Sequence, residues 1–403
     1  MPCTIFEDAG PFTKKLSCNV VSFGGLFGRG GDKLSQFPIC AYLKVKESAD
    51  DHAAMWSPIL KDFEDLAIRG VGPWKFFLLF AKSDLEVRTV SWGLPSYNGP
   101  QPCTECLADR DTSATGNPFT DLRPGASWRR TELASTEAFL ARARLPLHPL
   151  LTSSFFWRGF LPLDAMHLLD CHGVTNNLGG SIIHYLVQSC HALGRNQQVR
   201  MLAINTRMAD WQRGQPGISR MPPLRLSNLV ENEWSCLSGP VVKAANTRAL
   251  TPFLQILAQE CFTSGSEYDR LVQRVVKCLC RVYELLYSAG IFFLPDELAE
   301  LRRCLIRFGT AWQQLRAIAS RNGLMQWHMS PKLHISQHLA TQAAIMNPRY
   351  CQNYTEESCI GSTTAVWRRS AVGRYRASAQ RLVLIKRVVA LFIRFEGILP
   401  ADE

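Results

Sequence analysis

Six consecutive apolar residues at 76–81, Phe-Phe-Leu-Leu-Phe-Ala, followed by Lys82-Ser83-Asp84, set the tightest limit on what this chain can fold into. A strand with no polar face must be covered on both sides, which places it inside a sheet flanked by helices. The residues before it supply the rest of that sheet. A short run at 4–7 closes on Asp8-Ala9-Gly10-Pro11, and a β-rich run follows at 18–27. After the turn Gly28-Arg29-Gly30-Gly31 comes a third apolar run at 38–45. Three strands with short turns predict an antiparallel meander. Residues 50–68 then place Ala54, Trp56, Ile59, Leu60, Phe63, Leu66 and Ala67 at helical spacing, with Ser48 or Asp50 as the cap.

The order meander, helix, buried strand is the opening order of an RNase H-like core, an α/β fold with a mixed sheet. In that fold, acids at the ends of the first and fourth strands lie side by side. Here those acids are Asp8 and Asp84, 84 − 8 = 76 residues apart. Carboxylates so paired can hold two divalent cations about 4 Å apart, which activate a nucleophile and stabilise the leaving oxygen of a phosphodiester. For a single aspartate after a strand, turn initiation is the ordinary role, and only the topology argues for more.

After Pro102 a connector rich in Pro, Thr, Gly and Arg runs to about Arg130, and a boundary is expected near residue 110. Amphipathic helices are predicted at 181–192, 251–262, 268–288 and 296–320, the last opened by Pro295. The final segment starts at Pro331 and leads to a helix beginning near Tyr354, with Glu356 and Glu357 at its start. The expected organisation is a core half at 1–110, a mainly helical insertion at 111–330 and the second core half at 331–403. A late helical acid would complete the ligand set of a two-metal site.

Forty-five Lys and Arg against 34 Asp and Glu give a net charge of +11 and favour a polyanionic partner. Between Ser358 and Phe395 there are eight basic residues and no acid: Arg368, Arg369, Arg374, Arg376, Arg381, Lys386, Arg387 and Arg394. This is a basic arm or a solvated helix face, and charge of one sign gains no pairing along a helix. No uninterrupted apolar run of about 18 residues is present, and the acidic N-terminus lacks the pattern of a signal peptide, so a soluble intracellular chain without a membrane partner is expected. The 14 cysteines then read as reduced core thiols.

Cys103 and Cys106 have the spacing of half a tetrahedral zinc site, with His148, His167, Cys171 or His172 as candidates for the other half. His334 and His338 share a helix face but lack the intervening glutamate of a metalloprotease helix, and read as structural or DNA-facing. The turn at 28–31 has neither the Lys-Ser/Thr of a P-loop nor dinucleotide spacing.

Pro162-Leu163-Asp164-Ala165-Met166-His167 resembles the Leu-Asp-x-Met-His segment of CACTA-type transposases, in which an acid or Cys is separated by two residues from a His between the second and third catalytic acids. Asp164 and His167 match that signature. Asp8-Ala9-Gly10-Pro11-Phe12 resembles the family's first-acid segment, and Asp84 precedes Cys103 and Cys106 as the family's second acid precedes a Cys pair. Glu357, four residues before Gly361, is similar to the glutamate of the family's Glu-Arg-x-x-Gly and is preferred to Glu356. The resemblance implies an RNase H-like core interrupted by a helical insertion, in which Asp8, Asp84 and Glu357 hold two Mg²⁺ or Mn²⁺ ions and catalyse DNA strand cleavage and transfer. It further implies DNA as partner, Arg368, Arg369, Arg374, Arg376 and Arg381 along its backbone, a nuclear setting and room for a homo-oligomer. The alternative is a transposon-derived DNA- or protein-binding protein that keeps the fold without catalysis. A helical scaffold with no nucleic-acid role is the third expectation.

Overall fold

The structure, a computed structural model, describes residues 1–11, 17–26, 36–43, 49–110, 116–133, 135–240 and 242–370. It is a mixed α/β protein. In chain order its main elements are β1 (Pro2–Pro11), β2 (Ser17–Gly25), β3 (Gln36–Leu43), α1 (Ala49–Ile68), β4 (Phe77–Lys82), α2 (Leu85–Val90), α3 (Val174–Ser189) and α4 (Gln197–Arg213). These are followed by α5 (Ala244–Cys261), α6 (Glu267–Ser288), α7 (Pro295–Arg321), α8 (Pro331–Ser336) and α9 (Tyr354–Ser370). Contacts group the chain into two units: 1–96 with 134–164 and 352–403, and 97–133 with 165–351. The boundary expected near 110 therefore falls inside the second unit, and 134–164 returns to the first. The reason is burial, since Phe139, Leu150, Leu151, Phe160 and Leu161 share one core with Trp56 and Leu78, and Ala81 N–H donates to the Phe160 carbonyl at 2.9 Å.

In the first unit the strand order is β3-β2-β1-β4, with β1–β2 and β2–β3 antiparallel and β1–β4 parallel. The expected strand stop at Asp8 is overturned: β1 continues to Pro11, because β2 keeps pairing as far as Pro11↔Ser17. On its other side the β4 ladder ends at Phe6↔Lys82. Asp8 thus sits inside β1 but two residues past the end of its parallel neighbour, and Asp84 sits two residues past Lys82. Helix α1 begins at Ala49, so Asp50 lies in its first turn, where it favours the helix dipole without being the cap.

Side-chain alternation along β1 splits the two faces of the sheet. Cys3 and Ile5 join Trp56, Ile59, Leu60 and Phe63 of α1 in a single core. Glu7 follows on that face and is fully buried, accepting from Tyr42 Oη, from Trp92 Nε1 at 2.9 Å, and from His52 Nε2 at 2.8 Å. His52 Nδ1 lies 2.9 Å from His148 Nε2, and Leu150 N–H donates to His148 Nδ1. His148 is not near a metal-ligand set; it extends a buried polar chain. Burial and the adjacent His52 push its pKa down to about 3.

The other face carries α9. A Cβ at Gly10 would come within 2.5 Å of Ile360 Cγ2 and 2.8 Å of Thr364 Cγ2, so the helix rests against bare backbone there. Glu356, on this helix, is 2% exposed and forms an ion pair with the equally buried Lys82, while Gln36 Nε2 donates to the same oxygen at 3.3 Å.

In the second unit, α6 and α7 pack along one another, cross-linked by the two-pronged Arg281–Glu300 pair at 2.8 and 2.9 Å. Helix α3 starts at Val174, earlier than expected, because Asn176 Oδ1 accepts from Gly173 N–H and closes the first turn. Its Gly180 meets the backbone of Cys236 so closely that a Cβ would lie 2.4 Å from it. Among the described residues no helix is long and apolar enough to cross a membrane.

Removing one partner of a buried ion pair leaves the other charge uncompensated, which costs about 3 to 5 kcal/mol. Glu356→Gln is expected to lower unfolding free energy by that order in urea titrations at neutral pH; a loss below about 1 kcal/mol would show that Lys82 finds another partner. His148 makes a second prediction. Its folded pKa is depressed, so its contribution is complete above the ordinary histidine value of about 6.5 and falls as pH drops toward 3, by up to about 1.4 kcal/mol per pH unit. Urea titrations between pH 7 and 5 are expected to show a steeper loss for the native chain than for His148→Gln; equal slopes would contradict it.

Candidate metal centres

Two sets of side chains offer metal ligands: Asp8 and Glu357 in the first unit, and two cysteines with two histidines in the second. The first is acidic. Asp8 is 6% exposed and its carboxyl is hydrogen-bonded to Glu357, the two groups offering oxygens within 4.8 Å of one another. Burial, and after it the charges of Asp84 and Glu357, hold Asp8 well above the usual carboxyl range. Asp8 Oδ1 also accepts from Ala9 N–H at 2.6 Å, which works in the opposite direction. Asp84 caps α2, its Oδ1 accepting from Val87 N–H at 2.7 Å, so the turn-forming role weighed for it is present beside its action on Asp8.

Neighbouring residues on a helix point about 100° apart, and this separates the two glutamates of α9. Glu357 meets Asp8, whereas Glu356 is committed to Lys82 and Gln36. Like charges at this separation resist joint ionisation, so the group holds a proton or accepts a cation. A divalent ion would reverse the electrostatics and stabilise all the carboxylates as anions.

The second group is Cys103, Cys106, His334 and His338, all within the second unit and at most 2% exposed, with ligand atoms within 4.8 Å of one another. Here the expectation for His334 and His338 is corrected. They are neither simply structural nor surface-facing, and they complete the half-site that the Cys pair suggested. One turn of α8 and the residues just past it set their spacing. His334 Nδ1 lies 3.0 Å from the Phe119 carbonyl, an acceptor, so Nδ1 carries the proton and Nε2 is left as a lone pair, 3.3 Å from Cys106 Sγ. His338 Nδ1 faces Glu132 at 3.4 Å, and the buried ring also meets the Cys103 thiol. Carbonyl and carboxylate partners on the outer nitrogens are the usual means of orienting histidine ligands. Trp128 packs over both rings at centroid distances of 4.4 and 5.1 Å.

The geometry fits a tetrahedral ion. Bonds of about 2.3 Å to thiolate and 2.0 to 2.1 Å to imidazole put S and N roughly 3.5 Å apart around a tetrahedral centre, close to the observed 3.3 Å. Burial raises the Cys103 thiol, to which Cys106 adds, and a bound cation would supply the compensation that its thiolate needs.

The other proposed zinc partners lie elsewhere. His148 belongs to the Glu7 chain, and Cys171 follows the π-helical turn Met166–Asp170, its carbonyl accepting from Lys332 Nζ at 2.8 Å. His172 comes next with a positive φ of 46°. Asp164, 6% exposed, closes the first unit, and His167 lies in the π-helical turn of the second. Arg368 and Arg369 lie in the last turn of α9, while Arg374, Arg376, Arg381 and the rest of the basic arm fall outside the described residues. No protein-family model matches the chain, and no curated protein sequence does so either.

The purified chain is expected to carry about one equivalent of tightly held metal that Cys103→Ser and His338→Ala each release, read by elemental analysis. Full metal retention in both variants would remove these four residues as the ligand set.

Proposed function

We propose that this protein is a metal-dependent DNA strand-cleaving and strand-transferring enzyme of the DDE transposase kind, built on an RNase H-like core, with a structural zinc ion in its helical unit. The observation that carries the reading is the Asp8–Glu357 carboxyl pair, under the charge of Asp84, just beyond the paired ends of parallel strands β1 and β4. The sheet order β3-β2-β1-β4, with a helical acid delivered by α9, agrees with that core.

Asp8, Asp84 and Glu357 would hold Mg²⁺ or Mn²⁺; when bound, such ions polarise the scissile phosphate and lower the pKa of an attacking water or 3′-hydroxyl. The chain's own residues do the positioning. The β1–β2 pairing fixes Asp8, the cap at the start of α2 fixes Asp84, and the Lys82–Glu356 pair holds α9 so that Glu357 faces Asp8. Gly10 lets α9 approach the strand closely enough for this. A net charge of +11 favours the phosphate backbone as partner. The zinc ion has a different role: Cys103 and Cys106 come from the loop after α2 and His334 and His338 from the far end of the unit, so one ion closes a long loop, which stabilises the fold.

Asparagine caps a helix as well as aspartate does, which makes Asp84→Asn a clean test. Nicking of supercoiled plasmid in Mg²⁺ or Mn²⁺ is expected to fall by at least about 10²-fold in Asp84→Asn, with the melting temperature unchanged. Equal nicking by the variant would remove the mechanism. Salt-sensitive DNA binding by the native chain with no metal-dependent nicking would instead support the non-catalytic alternative.

A further inference from the structure

The helical unit carries a second feature that the acid site does not use. Between α6 and α7 runs a cleft of about 820 Å³, lined by Arg274, Lys277 and Arg281 from α6, Arg307 from α7, and Cys278 and Cys304. Arg270, Arg274, Lys277 and Arg281 recur at intervals of four, three and four residues, which places them on one stripe of α6. At 1.5 Å per residue the stripe spans about 16 Å. Arg303 and Arg307 stand one turn apart on α7, the helix packed against it.

The two ends of the stripe differ in their partners. Arg281 is neutralised by Glu300 and Glu284. Arg274, Lys277, Arg303 and Arg307 are exposed and form no hydrogen bond or ion pair with other described residues. Like charges gathered on facing helices repel, and the acids that line the cleft, Glu284 and Glu300, are bonded to Arg281. Its length and its concave shape suit a linear array of anions better than a single one.

We propose that the α6–α7 cleft binds the phosphate backbone of a nucleic-acid strand. Contact would be through Arg274, Lys277 and Arg307, which line it, with Arg303 one turn away on α7, and with no reading of base sequence. It rests on residues of the second unit alone and does not depend on the catalytic reading of the carboxylates.

The test is fluorescence anisotropy with a labelled DNA duplex and the full chain, in buffer without added divalent metal, over a range of salt concentrations. Arg274→Gln/Lys277→Gln/Arg307→Gln is expected to bind more weakly and to lower the log–log salt slope by about 2 to 3, close to one per cation removed. Its melting temperature is expected to stay level or rise, because the substitutions relieve repulsion, whereas a structural role would lower it. Should the triple variant not fold, the exposed single change Lys277→Gln is expected to lower the slope by about 1. An unchanged slope and affinity in the folded variants would overturn the proposal. ATP added as competitor at matched phosphate concentration is expected to displace little DNA; equal displacement would make this a nucleotide site and overturn the strand assignment.

Discussion

A buried carboxyl that faces others of like charge resists ionisation unless a cation joins them, and in the first unit Asp8 is so placed, with the half-buried Glu357 and Asp84 acting on it. Asp8, Glu357 and Asp84 come from a strand, a late helix and a helix cap, with Glu357 hundreds of residues after the two aspartates in the chain. Each is set by a different local device. Alternation along β1 turns Glu7 toward α1 and Asp8 toward α9, and the early end of β4 leaves Asp8 with no parallel partner beside it. A slip of one residue in β1 would exchange the two acids and bring the wrong one to Glu357.

The polar chemistry of the two sheet faces differs accordingly. Glu7 is fully satisfied by Tyr42, Trp92 and His52, and the chain continues to His148, which makes that face a closed polar network within an apolar core. Such networks specify one packing when complete and destabilise it when broken. On the opposite face the Lys82–Glu356 ion pair ties α9 to β4, while the neighbouring glutamate keeps company with a carboxyl that it raises. A group that repels itself in the absence of a cation is poised to bind one. The Cys103, Cys106, His334 and His338 group shows the same logic in the second unit, with the Cys103 thiol, raised by its burial, in place of repelling acids.

Much of the sheet unit was legible in the sequence because its signals are local. The apolar run ending at Lys82-Ser83-Asp84 required a buried strand, and β1, β2, β3 and α1 appeared in the expected order, with boundaries shifted by a few residues. What lies between distant segments was less visible. The return of 134–164 to the first unit depends on core packing that no periodicity announces. Glu356 and Glu357 could be ranked only by likeness to a motif; the deciding fact is that Lys82 reaches one of them. His334 and His338 were visible as a pair on one helix face, but their partner Cys106 lies 228 residues away, and nearer histidines competed for the assignment. The matching two-residue and three-residue gaps of Cys103/Cys106 and His334/His338, each half of a tetrahedral set, were the available signal.

The central claim is that the three carboxyls form a cation site, and anomalous diffraction from crystals soaked in MnCl₂ tests it most directly. Manganese density within coordinating distance of Asp8 and Glu357, and in reach of Asp84, is the expected result. A well-ordered crystal with no such peak, and with Asp8 still sharing its proton with Glu357 at high Mn²⁺, would contradict it.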